Sequence, residues 1–252
     1  MHKLRFFIAV LAALTAAGSA LAVVGGTPDN GAHPYVGAAI QAINGGHEIC
    51  SGSLVSATVF VTAAHCFADG STVQVTFDEV AVNPDRTINS SAKFYTGTVN
   101  IEPGFCLGCG SGLKGFDTND VAVVVFKGKG APQSRYAQLP PIGFDDTLSK
   151  QQVDIVGYGV EGFIPPQTPT VFGTRQDATA TIIGTYGTEF LKLSADPGAC
   201  FGDSGGPDLL HGTDTLVVSE NSFTSGNPIC NGVTYAERLD TTTAQSFINS
   251  FS

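Results

Sequence analysis

Three short segments carry the residue types of nucleophilic catalysis. Gly202-Asp203-Ser204-Gly205-Gly206-Pro207 sets a serine among glycines. Such a turn exposes the hydroxyl and frees neighbouring N–H groups to face a substrate oxygen. Val61-Thr62-Ala63-Ala64-His65-Cys66 places a histidine beside a cysteine, and Asn119-Asp120 opens into the apolar run Val121-Ala122-Val123-Val124. An imidazole that titrates near neutrality can take a hydroxyl proton and return it. A buried acid can hold that imidazole in one tautomer, and the serine can form an acyl-enzyme. Each residue also has a plainer reading, as a turn serine, a core histidine or a strand-start cap. The chain order His, Asp, Ser is one of three orders known for such a triad. His33, His47 and His211 lack this context and read as surface or loop histidines.

These residues need a scaffold, and the composition narrows it. The chain has 252 residues, enough for one large domain or two small ones. Only 13% are charged, 42% are hydrophobic and 31 are glycine, which excludes a disordered chain, a collagen-like repeat and a long helical protein. The net charge of -10 argues against nucleic acid, whose phosphates need a basic face. Short, often β-branched runs recur between Gly, Asn, Asp and Pro. Val36–Ile40, Ser53–Thr62, Val73–Phe77, Val121–Phe126, Gln152–Tyr158, Ala178–Ile183 and Thr215–Ser219 read as strands. The fold class is all-β, a sandwich or barrel of antiparallel strands. Ala131–Pro141, with three prolines, reads as a linker between two halves. At the C-terminus Ala244, Phe247, Ile248 and Phe251 fall on one helical stripe, with Thr241 or Thr242 as its cap.

Residues 1–22 read as an address. A basic start (Lys3, Arg5), an apolar run over Phe6–Ala17 and the small-x-small end Ala20-Leu21-Ala22 are the parts of a secretory signal peptide. The run is short for a membrane anchor, and no later stretch reaches 18 apolar residues, so a secreted chain with no membrane span is expected. Export puts Cys50, Cys66, Cys106, Cys109, Cys200 and Cys230 in an oxidising compartment. Spacing alone leaves fifteen pairings open. Cys106-Leu-Gly-Cys109 invites a zinc or redox reading, but no second ligand pair stands at zinc spacing, and a local disulfide staple is the plainer reading.

Together the motifs resemble the chymotrypsin/trypsin family of serine endopeptidases, more closely its short microbial secreted members. The resemblance is carried by Val23-Val24-Gly25-Gly26, by Cys50–Val55 through Thr62–Cys66, by Asn119–Ala122, by Gly157-Tyr158-Gly159 and by Gly202–Pro207. It implies two packed antiparallel six-stranded barrels with a C-terminal helix. The first would span 23–135 with His65 and Asp120, and the second 136–252 with Ser204 and the specificity pocket. It implies His65 as base, Asp120 as its orienting acid, Ser204 as nucleophile, and the N–H groups of Gly202 and Ser204 as the oxyanion hole. Cys50 would pair with Cys66 and Cys200 with Cys230. Asp203 would pair with the α-amine of a mature chain beginning at Val23.

The pocket is less clear. Gly198 stands six residues before the serine, where cleavage after Lys or Arg would call for Asp. Asp196 and Asp208 are the acids nearby. Ser219-Glu220-Asn221 is aligned with the family's Ser-Trp-Gly wall, and Gly232 or Val233 with a further wall. A neutral pocket for apolar or small side chains is the expectation. Asp78 and Glu79 lie near the calcium loop of some relatives but read as solvated surface, so no metal or cofactor is expected. Protein or peptide substrates and protein inhibitors are the expected partners of a monomer. Because Glu220 and Asn221 depart from the family pattern and could block substrate, a non-catalytic secreted binding protein on the same fold is the alternative.

Signal peptidase cutting after Ala22 would itself create the α-amine for Asp203. Mass spectrometry of the secreted protein should therefore find Val23 first, and a chain starting upstream contradicts this. The paired amine has a raised folded pKa. Its stabilisation is complete below the unfolded value, about 7.7–8.0, and fades as pH rises through the folded one. A pH-stability profile that stays flat well into the alkaline range contradicts the pair.

Overall fold

The protein is described by a computed structural model covering residues 23–43, 46–109, 118–160, 163–164, 168–169, 172–225 and 230–252. The expected signal peptide, 1–22, lies outside the described residues. Strand β1 (Thr27–Pro28) is followed by β2 (Val36–Ile43), β3 (Gly46–Leu54), β4 (Val59–Ala63), β5 (Thr72–Thr76), β6 (Phe94–Ile101) and β7 (Val121–Phe126). Strands β2 to β7 close into an antiparallel barrel of order β2-β3-β4-β7-β6-β5. Next come β8 (Gln152–Gly157), the short pair β9 (Phe163–Ile164) and β10 (Thr168–Pro169), β11 (Gln176–Tyr186), β12 (Phe190–Leu193), β13 (Pro207–Leu210), β14 (Val217–Thr224) and β15 (Thr234–Arg238). The order β11-β12-β15-β14-β13-β8, with β8 pairing back to β11, closes a second antiparallel barrel. The expected fold class holds: two six-stranded barrels and one C-terminal helix.

The first barrel closes around Phe60, Val75, Val99 and Val124, which the strand pairings place on one face and which are fully buried. Burying each such side chain contributes about 1.5–3 kcal/mol. The run Ser53–Thr62, expected as one strand, is two. Ser56-Ala57-Thr58 turns the chain, with Thr58 N–H donating to Ser56 Oγ and Val55 N–H to the Val59 carbonyl. Thr215–Ser219 was expected to end where β14 in fact has five more residues to run. That difference matters for the pocket.

The ends of the chain cross between barrels. The expected division at 135/136 falls in the connection between β7 and β8. Yet β1 joins the second barrel through β11, and Val23 lies in that barrel's core. Helix α1 (Thr242–Asn249) instead packs Ala244 and Ile248 into the first barrel's apolar cluster, and Thr241 Oγ1 caps it by accepting from Ala244 N–H. The segment Ala131–Pro141 is no free linker. Ala131 and Ala137 are buried, their N–H groups donate to Ala57 and Leu54, and Gln138 donates to Thr215.

Arg175, just before β11, clamps the barrels together. Its Nε donates to Asp29 Oδ2 at 2.8 Å, and Nη1 donates to Val36 O, Phe77 O and Tyr158 Oη at 2.9–3.1 Å. Burial alone would raise the Asp29 carboxyl, but the His33 hydrogen bond and the Arg175 charge hold it down to about 2. Arg175→Met should cost about 3–5 kcal/mol, because it strands a buried carboxylate. Denaturant titration of the variant measures this, and a loss below about 1 kcal/mol contradicts the clamp. A depressed carboxyl stabilises the fold above its unfolded pKa, about 3.9, and loses that contribution as pH falls through about 2. The variant should therefore show a weaker loss of stability across that acid range.

Candidate active site

His65 sits in a 3₁₀ turn, Ala64–Cys66, at the end of β4, and the Cys50–Cys66 disulfide ties that turn to β3. Asp120 immediately precedes β7, the partner of β4, and the left-handed Asn119 (φ 52) aims it inward. Asp120 Oδ1 accepts from His65 N–H at 2.8 Å, and Oδ2 lies 2.7 Å from His65 Nδ1. Oδ2 also accepts the Ser222 hydroxyl from β14 of the other barrel. Asp120 is fully buried, whereas the His65 ring is about one quarter exposed. One imidazole nitrogen is thus held by a buried carboxylate while the ring borders solvent.

Ser204 lies between β12 and β13 in a loop stapled by Cys200–Cys230. Asp203 N–H donates to Cys200 O, Gly205 N–H to Asn221 O and Gly206 N–H to Asp203 O. Among the described residues no such bond takes the N–H of Gly202 or Ser204. Gly202 has φ +98, and a Cβ there would sit 2.8 Å from Gly159 Cα, so glycine is required for both reasons. Asp203 is buried, with Gly159 N–H donating to Oδ1 and Cys200 N–H to Oδ2. Burial pushes its carboxyl up to about 7 against those two bonds.

His65 and Ser204 line one cavity of about 520 Å³, with Gly202. Ala199, Phe201 and Phe172 form part of its wall, Asn221–Thr224 another, and His47–Cys50 the opposite side. Gly198, Ser219, Gly232 and Val233, expected in the pocket, do not line this cavity. Gly198 is bridged to Val24, and Gly232 backs onto Ser225. Ser219 Oγ donates to Asp208 inside the second barrel. The Ser-x-x wall stands three residues later, at Ser222-Phe223-Thr224. Asn221 lines the cavity, but its Nδ2 turns back to Gly206 O. Glu220 is buried and does not line the cavity. Asp196 and Asp208 also lie outside the cavity lining.

The cysteines are joined as Cys50–Cys66, Cys106–Cys109 and Cys200–Cys230. His33 and His211 bond Asp29 and Asp154, whereas His47 lines the cleft. Asp78 accepts from Lys93 N–H, and Glu79 pairs with Arg175. The one cluster of potential metal ligands among the described residues is Cys50, His65 and Cys66, whose two sulfurs are already bonded to each other.

Sequence reasoning missed Ser51 and Ser222. Ser51 belongs to β3, yet its Oγ donates to Gly202 O at 2.8 Å and accepts from Tyr158 N–H at 2.9 Å. Its N–H donates to Ser204 O at 2.8 Å. The segment Cys50-Ser51-Gly52-Ser53 was part of the family resemblance, but its two serines look alike as a string and nothing in it singles out Ser51. For Ser222 the signal was the length of the run continuing beyond Ser219.

Residues 23–239 match the family model described as Trypsin. The chain is 26% identical over 197 residues to the serine protease SP24D of Anopheles gambiae, covering 75% of this chain and 68% of that protein. Among solved structures it superposes on HL collagenase with a TM-score of 0.66 at 21% identity, covering 90% of this chain and 97% of that one. On human heparin binding protein the TM-score is 0.65 at 19% identity, covering 90% and 96%.

Ser51→Ala leaves the Tyr158 N–H and the Gly202 carbonyl without their shared partner, at a cost of about 1–3 kcal/mol. Chemical denaturation should show that loss, and a variant as stable as the parent contradicts the bridging role.

Proposed function

Because this chain belongs to the trypsin family, we propose that it is a secreted serine endopeptidase cleaving protein or peptide substrates through Ser204, His65 and Asp120. The observation that carries the reading is the His65 ring, bonded at Nδ1 to buried Asp120 and bordering the same cavity as Ser204. His65 Nε2 takes the Ser204 proton as Oγ attacks the scissile carbonyl, then passes it to the leaving amine. Asp120 remains an anion and stabilises the imidazolium. The N–H groups of Gly202 and Ser204 receive the oxyanion, each donor contributing roughly 2.7–4 kcal/mol. Water enters by the same proton path and releases the acid.

Ala199, Phe172 and Phe223 line the cavity, and among the described residues Glu48 on the β3 side is its one acidic lining residue. A neutral pocket selecting apolar or small side chains fits this lining. Of the two residues that suggested a non-catalytic binder, Glu220 does not line the cavity and Asn221 lines it with Nδ2 turned back to Gly206 O. Val23, buried beside Ala199 in the second core cluster, has φ 56, a conformation costly for a β-branched residue. Cleavage before Val23 removes the preceding carbonyl that makes this φ unfavourable and frees an amine for Asp203.

A fluorophosphonate probe should label the mature protein at Ser204 and fail to label Ser204→Ala. Equal labelling of both, or no labelling of folded protein, overturns the reading. Ser222→Ala removes one hydrogen bond to a charged carboxylate, worth about 1.5–3 kcal/mol. It should lower kcat by roughly ten- to hundredfold with little change in KM, measured on a substrate chosen by peptide-library profiling. An unchanged kcat contradicts the role given to Ser222.

A further inference from the structure

A second recess of about 360 Å³ adjoins the catalytic cavity. The two share His47, Ile49 and Phe172 as lining residues, so the recess continues the cleft. Val82, Ile88 and Val160 supply the rest of its apolar wall. Ile49, Val82 and Val160 are buried, so this wall is part of the packed fold. Among the described residues that line the recess there is no acid, and the one permanent cation is Arg86.

Arg86 is exposed and has φ 67, in the left-handed region. A side chain held there is costly unless the surroundings fix it, and such residues gather at ligand sites. Here the turn Asn83–Thr87 fixes it. Asn83 N–H donates to Thr87 O and Arg86 N–H to Asn83 O, both at 2.8 Å. Asn83 Nδ2 donates to Thr87 Oγ1 at 3.0 Å, and Val82 is bridged to Ile88 behind the turn. Asp85, the acid beside Arg86 in sequence, is committed to Thr87, whose N–H and hydroxyl both donate to Oδ1. The arginine ion pairs among the described residues take Arg135, Arg175 and Arg238, not Arg86. A guanidinium at an apolar recess that lacks an acid of its own is matched by a carboxylate from outside.

The proposed chemistry says which half of a substrate arrives here. The acyl half is bonded to Ser204, with its side chain between Ala199 and the Asn221–Thr224 wall. The amine leaves past His65, whose turn is tied to β3 by Cys50–Cys66. From Cys50, β3 leads back through Ile49 to His47, at the recess. We infer that the recess holds the substrate segment on the leaving side of the scissile bond. Arg86 selects a segment in which an acidic side chain accompanies an apolar one. This rests on the peptidase reading above and deepens it.

Quenched fluorescent peptides varied at the four positions after the scissile bond test the inference. At one of those positions Glu should exceed Gln in kcat/KM by about fivefold, the size of an exposed ion pair. The ratio should shrink when salt rises from about 0.05 M to about 0.5 M. Arg86→Lys should retain part of the preference. Arg86→Asn, which suits the left-handed backbone, should bring the Glu and Gln peptides to the same rate. Arg86→Glu should turn the preference toward Lys. No preference for Glu, a preference that survives Arg86→Asn, or one found only before the scissile bond overturns the inference. Calorimetric titration of Ser204→Ala with the uncleaved Glu and Gln peptides adds a readout without turnover. Its affinity ratio should match the kinetic one and vanish when Arg86→Asn is added, and an unaltered ratio overturns the site. An unreactive Ser204 with Arg86-dependent binding would remove the peptidase reading and leave the acidic-peptide site standing. A reactive Ser204 without that dependence would remove this inference alone.

Discussion

Ser51 belongs to the first barrel, yet its N–H and its hydroxyl are bonded to the second. Ser204 O, Gly202 O and Tyr158 N–H all meet this one residue, and Thr62, three residues before His65, donates to the Ser51 carbonyl. The spacing between the His65 turn and the Ser204 loop thus passes through a single buried side chain and its peptide groups. Buried polar bonds are costly to leave unmade. That cost holds the two barrels in one register, where apolar packing alone would tolerate sliding. Arg175 repeats the logic on the same seam, joining Asp29, Val36 O and Phe77 O to Tyr158.

Several acids are buried in the interior. Asp29 finds a guanidinium and is held ionised, whereas Asp203, Asp208, Glu220 and Glu237 are pushed upward by burial. The contrast follows from partners. A buried carboxylate survives beside an arginine or several donors and otherwise retains its proton. Asp120 gains its donors from both barrels, so its hydrogen bonds depend on their assembly. Asp203 is held by two backbone N–H groups alone, and it is the acid that the α-amine of the proposed mature chain would meet.

Much of this was legible in the sequence because the informative residues are locally constrained. The glycines around Ser204 reflect backbone torsions and close contacts that only glycine meets, so the motif survives as a string. The run Val121–Phe126 is apolar because β7 is buried almost throughout, and its limits were read correctly. The two-barrel fold and the family followed from such strings. The pocket did not. Ser219 and Ser222 differ by three positions on one strand, both buried and both hydrogen-bonded to an acid. Only three-dimensional register decides which of them reaches Asp120. The crossing of the chain ends was hidden for a related reason: β1 is two residues long, and the stripe on α1 says that it packs without saying on what.

The proposed chemistry needs the seam between the barrels to bring a histidine held by a buried acid to a serine hydroxyl beside two N–H donors. A crystal structure of the mature protein after reaction with a peptidyl phosphonate tests it most directly. The phosphorus should be bonded to Ser204 Oγ, its oxygen received by the N–H groups of Gly202 and Ser204, and His65 Nε2 should lie within hydrogen-bond reach of the adduct. An adduct on another residue, or a phosphoryl oxygen turned away from both N–H groups, would contradict it.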